Sequence, residues 1–204
     1  MLFNDTYRTI SAPAEGIFRD RGSKFIGYAY PIRSEEEVKT LVQQLKAEHP
    51  KARHHCWALR LSPDRSVFRI NDDGEPSGTA GRPILNTLLS QDITQVLVVV
   101  VRYFGGTLLG VPGLINAYKT AAQEALSAAQ IIEKTINDQY LLQFEYLQMN
   151  EVMKLIKDKN LNIISQQMDN SCEITIEIRK TDVAQIIDQL EKFPNLNTQY
   201  LKTL

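Results

Sequence analysis

Two stretches hold most of the side chains in this sequence that can do chemistry. The first is Asp72-Asp73-Gly74-Glu75-Pro76-Ser77-Gly78-Thr79-Ala80-Gly81, and the second is Arg102-Tyr103-Phe104-Gly105-Gly106. Asp72, Asp73 and Glu75 place three acids in four positions, enough to handle a proton or a divalent cation. Ser77, Thr79 and the glycines beside them can cradle an anion where a helix starts. The spacing Asp-x-Asp-x-Asp-Gly is missing, so this is no EF-hand, and no metal or cofactor is expected. The plainer reading is a turn and a helix cap with solvated acids.

Arg102 follows the unbroken run Val96–Val101. It should emerge at the carboxyl end of a strand, where open α/β sheets bind ligands. Its fork can grip a phosphate or carboxylate. Tyr103 and Phe104 can stack on a base, and Gly105 and Gly106 let backbone approach a ligand. The pattern is neither a Walker loop nor Gly-x-Gly-x-x-Gly. Its plainer reading is a tight turn, an arginine paired to a buried carboxylate, and aromatics in the core. Both readings stay open here. Arg82 and Lys119 join Ser77, Thr79 and residues 102–106 as anion or nucleic-acid-binding candidates. Arg102→Ala is expected to spare folding and remove ligand binding.

His54 and His55 are the remaining polar candidates. Adjacent strand residues face opposite ways, so the two cannot chelate one ion, and at most one faces a site as acid or base. Trp57 reads as core. Cys56 and Cys172 lie far apart and read as small buried hydrophobes in a reducing, cytoplasmic setting.

Elements must position these residues. Residues 14–32 read as two strands around a turn at 20–23. Ser34 with Glu37 forms a capping box for a helix that ends by Pro50. Residues 55–61 and 66–70 read as a hairpin. A short helix starts near Arg82-Pro83. Val96–Val101 does not alternate, so its strand should be covered on both faces. The next helix carries a stripe rich in alanine, which favours close packing. After Ile132 the character changes, and residues 138–204 hold no glycine. Strands at 140–146, 161–167, 172–179 and 198–202, with helices around Val152 and after Asp182, follow the order βαββαβ, the ferredoxin-like pattern. Asp182 with Gln185 is read as a second capping box, and residues 168–171 as a turn. The fold class is α+β, with domains at 1–132 and 137–204.

The chain has 204 residues and a net charge of −1. Residues 1–131 carry +2 and the rest −3, so polyanion affinity would need a local patch. The start lacks a signal-peptide pattern, and no apolar run approaches the ~20 residues that span a bilayer.

Three motifs stand in order: Arg53-His54-His55-Cys56, then Asp72 to Pro83, then Val99-Val100-Val101-Arg102-Tyr103-Phe104-Gly105-Gly106-Thr107-Leu108-Leu109-Gly110-x-x-Gly113-Leu114. In this the chain resembles the Impact family, in particular its bacterial YigZ-like branch, and the tail after residue 136 resembles that branch's second domain. The resemblance implies a first domain like domain 2 of ribosomal protein S5, with a left-handed βαβ crossover against the usual rule. It implies a second domain like the last domain of elongation factor G. Eukaryotic relatives regulate translation through a further amino-terminal domain not found among these residues, so that role is not carried over. The resemblance supplies no catalytic residues, and the phosphate loop of the kinases that share the fold is absent.

Three functions remain. One is non-catalytic binding of RNA or the ribosome, linked to translation. Another is an enzyme acting on a small phosphorylated or carboxylated ligand between Arg102 and Asp72–Glu75. The third is a protein adaptor using the second domain's sheet face, which would need an apolar patch there.

Overall fold

The computed structural model describes residues 5–168 and 171–204. Asp169 and Asn170, the centre of the expected turn, lie outside the described residues. The chain forms two compact units. One is Tyr7–Lys134. The other is Thr135–Leu204, joined by Asp5 and Thr6.

The first unit contains β1 (Thr6–Ile10), β2 (Ala14–Asp20), β3 (Ser23–Pro31), α1 (Glu36–Glu48), β4 (His54–Leu61), β5 (Val67–Asn71), α2 (Gly81–Ser90), β6 (Val96–Tyr103), α3 (Gly110–Ala128) and β7 (Ile131–Thr135). β2-β3-β6-β4-β5 form one sheet with every neighbour antiparallel. β3 and β4 therefore flank β6 and run the same way, and α1 connects them. β1 and β7 make a separate two-stranded ribbon that the sequence pattern did not single out.

β6 is central and sealed. Val96 through Val101 are each 0% exposed. Val96, Val98 and Val100 face a core shared with α2 and α3, while Leu97, Val99 and Val101 face the core beside α1. The lack of alternation follows from this three-layer arrangement, in which both faces of the strand must be apolar.

The alanine stripe of α3 has a matching partner. Gly16 and Gly27 stand opposite each other on β2 and β3. A Cβ on Gly27 would lie 2.3 Å from the Ala121 carbonyl oxygen, and one on Gly16 would lie 2.4 Å from the Ala125 nitrogen. Small residues on both sides bring helix backbone almost onto sheet backbone.

Neither expected capping box forms in full. α1 starts at Glu36 without a side-chain cap, but the Glu37 carboxylate accepts bonds from the backbone N–H of Arg33 (2.7 Å) and Ser34 (3.0 Å). Asp182 stands at the N-cap of the last helix without capping it by its side chain.

The second unit runs β8 (Asn137–Glu145), α4 (Met149–Asp158), β9 (Asn162–Met168), β10 (Ser171–Arg179), α5 (Val183–Leu190) and β11 (Asn197–Thr203). Its antiparallel sheet has the order β11-β8-β10-β9. Leu142, Ile174, Ile176 and Ile178 pack against Val152, Ile156, Ile186 and Leu190. Asp5 is tied to this unit by Arg179, whose Nε lies 2.5 Å from Asp5 Oδ2, and by the Thr181 hydroxyl at 2.9 Å. The opposite sheet face is polar across its centre. Gln143 donates to Glu173 at 2.8 Å and Asn137 to Glu177 at 2.6 Å. The rung between holds Thr175 opposite Leu141. No helix among the described residues is long and apolar enough to cross a membrane.

Candidate functional site

β4 and β6 are neighbours, and their register sets His54 opposite Arg102. The loop from β5 to α2 brings Glu75 to the same place. Arg102 Nη1 donates to Glu75 Oε1 at 2.5 Å, and the Tyr118 hydroxyl on α3 donates to the same oxygen at 2.7 Å. Arg102 is 5% exposed and Glu75 8%. The Arg102 guanidinium also lies over the rings of Phe25 (5.4 Å) and Phe104 (5.6 Å), where the π-faces favour a cation. Arg102 is thus the buried, paired arginine of the plainer sequence reading. The expectation that Arg102→Ala spares folding does not survive this geometry, because the change would strand the buried Glu75 carboxylate.

The three acids point three ways. Asp72 accepts bonds from the backbone N–H of Gly78 (2.9 Å), Ala80 (3.1 Å) and Gly81 (2.8 Å), so it caps α2. The helix-start amides that Ser77 and Thr79 were expected to share with a ligand are taken by this carboxylate. Thr79 is buried and its hydroxyl donates to the Pro76 carbonyl at 2.6 Å, while Ser77 is exposed. Asp73 accepts from the His55 N–H at 2.7 Å and pairs with Lys46 at 3.2 Å. Among the described residues no three His, Cys, Asp or Glu side chains converge as a metal set.

The two histidines divide as strand geometry requires. His54 Nδ1 lies 2.8 Å from the Asp73 carbonyl, which can only accept, so Nδ1 carries the proton. Nε2 then faces Glu75 Oε1 at 3.8 Å. His55 is buried, and burial holds its pKa below the usual 6.5 despite the nearby Asp73 carboxylate.

Tyr103 leaves this group. It is next to Arg102 on a strand and so belongs to the other face, where its hydroxyl meets His49 Nδ1 at 2.8 Å. His49 Nε2 meets the Tyr28 hydroxyl, also at 2.8 Å. Burial above all pushes the Tyr28 phenol up to about 12. Gly105 serves the protein's own packing. A Cβ there would lie 1.9 Å from the Gly22 carbonyl carbon, and its N–H donates to Ser23 Oγ at 3.1 Å. Gly106 turns the loop with φ +89° and has open space before it. Phe104 stays on the site, 42% exposed.

What results is a cleft of about 460 Å³ between the Glu75-Pro76 loop and the start of α3. Arg102, Glu75 and His54 form its polar wall. Phe104, Leu108 and Val111 form an apolar rim, with exposed Arg53 beside it. Beneath it the Cys56 thiol donates to the Asp72 carbonyl at 3.0 Å and lies 3.4 Å from the Tyr118 oxygen. Burial pushes both the thiol and the Tyr118 phenol well up, so each stays protonated. Arg82 and Lys119 are not part of this cleft. They line a separate groove between α2 and α3.

Arg53 and Leu108 stand in the sequence motifs without a role assigned to them, and Tyr118 and His49 were given none either. Tyr118 was visible only as one apolar position of a helical stripe. The usable signal was its hydroxyl, since a buried tyrosine needs a hydrogen-bond partner.

The Impact N-terminal domain pattern matches residues 21–126, which contain every residue of the cleft. The protein "IMPACT family member YigZ" of Escherichia coli is 33% identical over 94% of this chain and 95% of its own length. The yeast "Protein IMPACT homolog" of Saccharomyces cerevisiae is 34% identical over 54% of this chain and 43% of its own. A crystal structure of a hypothetical protein superposes with a TM-score of 0.75 at 32% identity, covering 97% of this chain and 98% of that one. A domain pattern across half the chain and a relative matched almost end to end make this protein a member of the Impact family.

Proposed function

We propose that this Impact-family protein is a non-catalytic, translation-linked binding protein whose first unit contacts ribosomal RNA through the rim of the cleft. One observation carries the reading. At the floor Arg102 Nη1 and the Tyr118 hydroxyl both engage Glu75, while Phe104, Leu108, Val111 and Arg53 stand open at the rim. An aromatic face, apolar contacts and an exposed arginine suit stacking bases and a phosphate better than they suit bond making. The α3 start adds backbone amides and the positive end of a helix dipole.

The arrangement of elements supports the same reading. A β3–α1–β4 connection split around β6 fits a domain like domain 2 of ribosomal protein S5. βαββαβ with strand order β11-β8-β10-β9 fits a ferredoxin-like domain, as at the end of elongation factor G. Two buried free cysteines fit a cytoplasmic setting. The polar centre of the second unit's sheet face gives the adaptor reading little support there.

The test is co-sedimentation of the purified protein with ribosomes at low and moderate salt, beside Phe104→Ala and Arg53→Gln. Salt-sensitive pelleting, reduced in both variants, is expected. No pelleting of wild type at either salt would overturn the proposal.

A second reading, an enzyme for a small phosphorylated or carboxylated ligand, is favoured by one feature. His54 has Nδ1 pinned and Nε2 facing the cleft, an arrangement suited to moving a proton. A phosphorylated metabolite that raises the melting temperature of wild type but not of His54→Gln would favour it.

A further inference from the structure

The groove between α2 and α3 is about 630 Å³ and lies apart from the Arg102 cleft. Two facing rows line it. Arg82, Asn86 and Ser90 recur every fourth residue on α2, and Ile115, Lys119 and Gln123 do the same on α3. Four residues of helix rise ~6 Å, so each row is a ladder along the groove. The lining contains two cations, two amides and two hydroxyls but no carboxylate. In the Arg102 cleft, by contrast, a carboxylate is present and Glu75 neutralises Arg102, leaving Arg53 at the rim.

The donors of this groove divide into two engaged hydroxyls and four side chains left open. The Thr87 and Ser90 hydroxyls donate to backbone carbonyls at 3.0 and 2.9 Å. Among the described residues the side chains of Arg82, Asn86, Lys119 and Gln123 have no hydrogen bond or ion pair. Arg82, Asn86 and Lys119 are exposed, and so is the apolar Ile115 between them. Phosphodiester oxygens accept and never donate, so the four open donors Arg82, Asn86, Lys119 and Gln123, without a competing acid, suit them. Several such donors in a row suit a chain of phosphates better than a single one.

We infer that the α2–α3 groove is a track for an RNA backbone, held by Arg82 and Lys119, with Asn86 and Gln123 donating to phosphate or ribose oxygens. This rests on the RNA-contact reading above and adds a second surface to it. Phosphate contacts of this kind set affinity and salt dependence rather than sequence preference.

The experiment measures ribosome pelleting by the full chain across a salt series, for wild type, the double variant Arg82→Gln/Lys119→Gln, and Phe104→Ala. Both substituted positions are exposed and make no hydrogen bond or ion pair among the described residues, so the double variant should keep the wild-type melting temperature. Losing two phosphate contacts should reduce the slope of log K against log salt by about 1.4 to 1.8 and weaken low-salt binding roughly tenfold or more. Phe104→Ala should weaken binding with little change of slope. Wild type that binds, with a double variant of equal affinity and slope, overturns the groove and leaves the ribosome reading standing. Wild type that fails to bind overturns both. A double variant that loses binding of inorganic phosphate alone, with ribosome pelleting unchanged, overturns the polymer in favour of a small anion.

Discussion

Glu75 Oε1 lies 2.5 Å from Arg102 Nη1, and both side chains are all but sealed from solvent. The pair joins the β5–α2 loop to the end of the central strand, and Tyr118 ties the same oxygen to α3. Removing one member leaves the other charged and buried, which costs about 3–5 kcal/mol. Glu75→Ala and Arg102→Ala should therefore each lower the urea midpoint sharply. Glu75→Leu combined with Arg102→Met should cost much less than the two single changes added together. Single variants within 1 kcal/mol of wild type would mean that water reaches the pair, and that Arg102 is available to a ligand after all.

The Gly16–Gly27 pair makes a second, sharper prediction. A methyl at Gly27 would lie 2.3 Å from a carbonyl oxygen of α3, which is backbone and cannot swing aside. α3 would have to lift from the sheet, and overpacking of this kind costs at least ~1–3 kcal/mol. α3 carries Tyr118 and Leu114, so the cleft should loosen with it. Gly27→Ala should lower the melting temperature and should also reduce ribosome pelleting. An unchanged melting temperature would show that the helix shifts without penalty.

These two cases separate what was legible in the sequence from what was not. The unbroken Val96–Val101 run required burial on both faces, and β6 has it, because a strand inside three layers has no polar side. The alanine stripe announced close packing, although the glycines that receive it lie about a hundred residues away. The carboxylate that pairs with Arg102 was out of reach. Asp72, Asp73 and Glu75 are equivalent by type, and the loop that separates them depends on left-handed backbone at Asp73 (φ +39°) and Gly74 (φ +86°). The split of Tyr103 from Arg102 was within reach, since neighbours on a strand face opposite ways. β1 and β7 were not, because each is five residues long and they pair from opposite ends of the unit.

His55 gives the pH dependence. Burial lowers its folded-state pKa below 6.5, whereas in the unfolded chain it titrates near that value. The unfolded state therefore binds the proton more readily. The contribution of His55 to stability is complete above about pH 6.5 and is lost as pH falls through the lowered folded value. Unfolding midpoints measured between pH 8 and pH 5 (roughly the range over which histidine titrates) should fall on the acid side. The fall should be shallower in His55→Gln. An identical slope in the variant would assign the acid sensitivity to other groups.

Asp72 is the anchor on which the site's loop hangs. Its carboxylate accepts three backbone bonds at the start of α2, from Gly78, Ala80 and Gly81. Between Asp72 and those amides the chain carries Glu75, so the cap also fixes where Glu75 meets Arg102. Asp72→Ala should cost about 1–2 kcal/mol as a lost helix cap. Asp72→Asn keeps one carbonyl oxygen for Ala80 and Gly81, and should cost less. The two effects should not add. Once the loop has loosened, Glu75 can reach water, and Arg102→Ala should cost less in an Asp72→Ala background than in wild type, as expected for residues in one network. A double-mutant cycle in urea measures this directly. A coupling near zero would mean that the loop holds Glu75 in place without its cap.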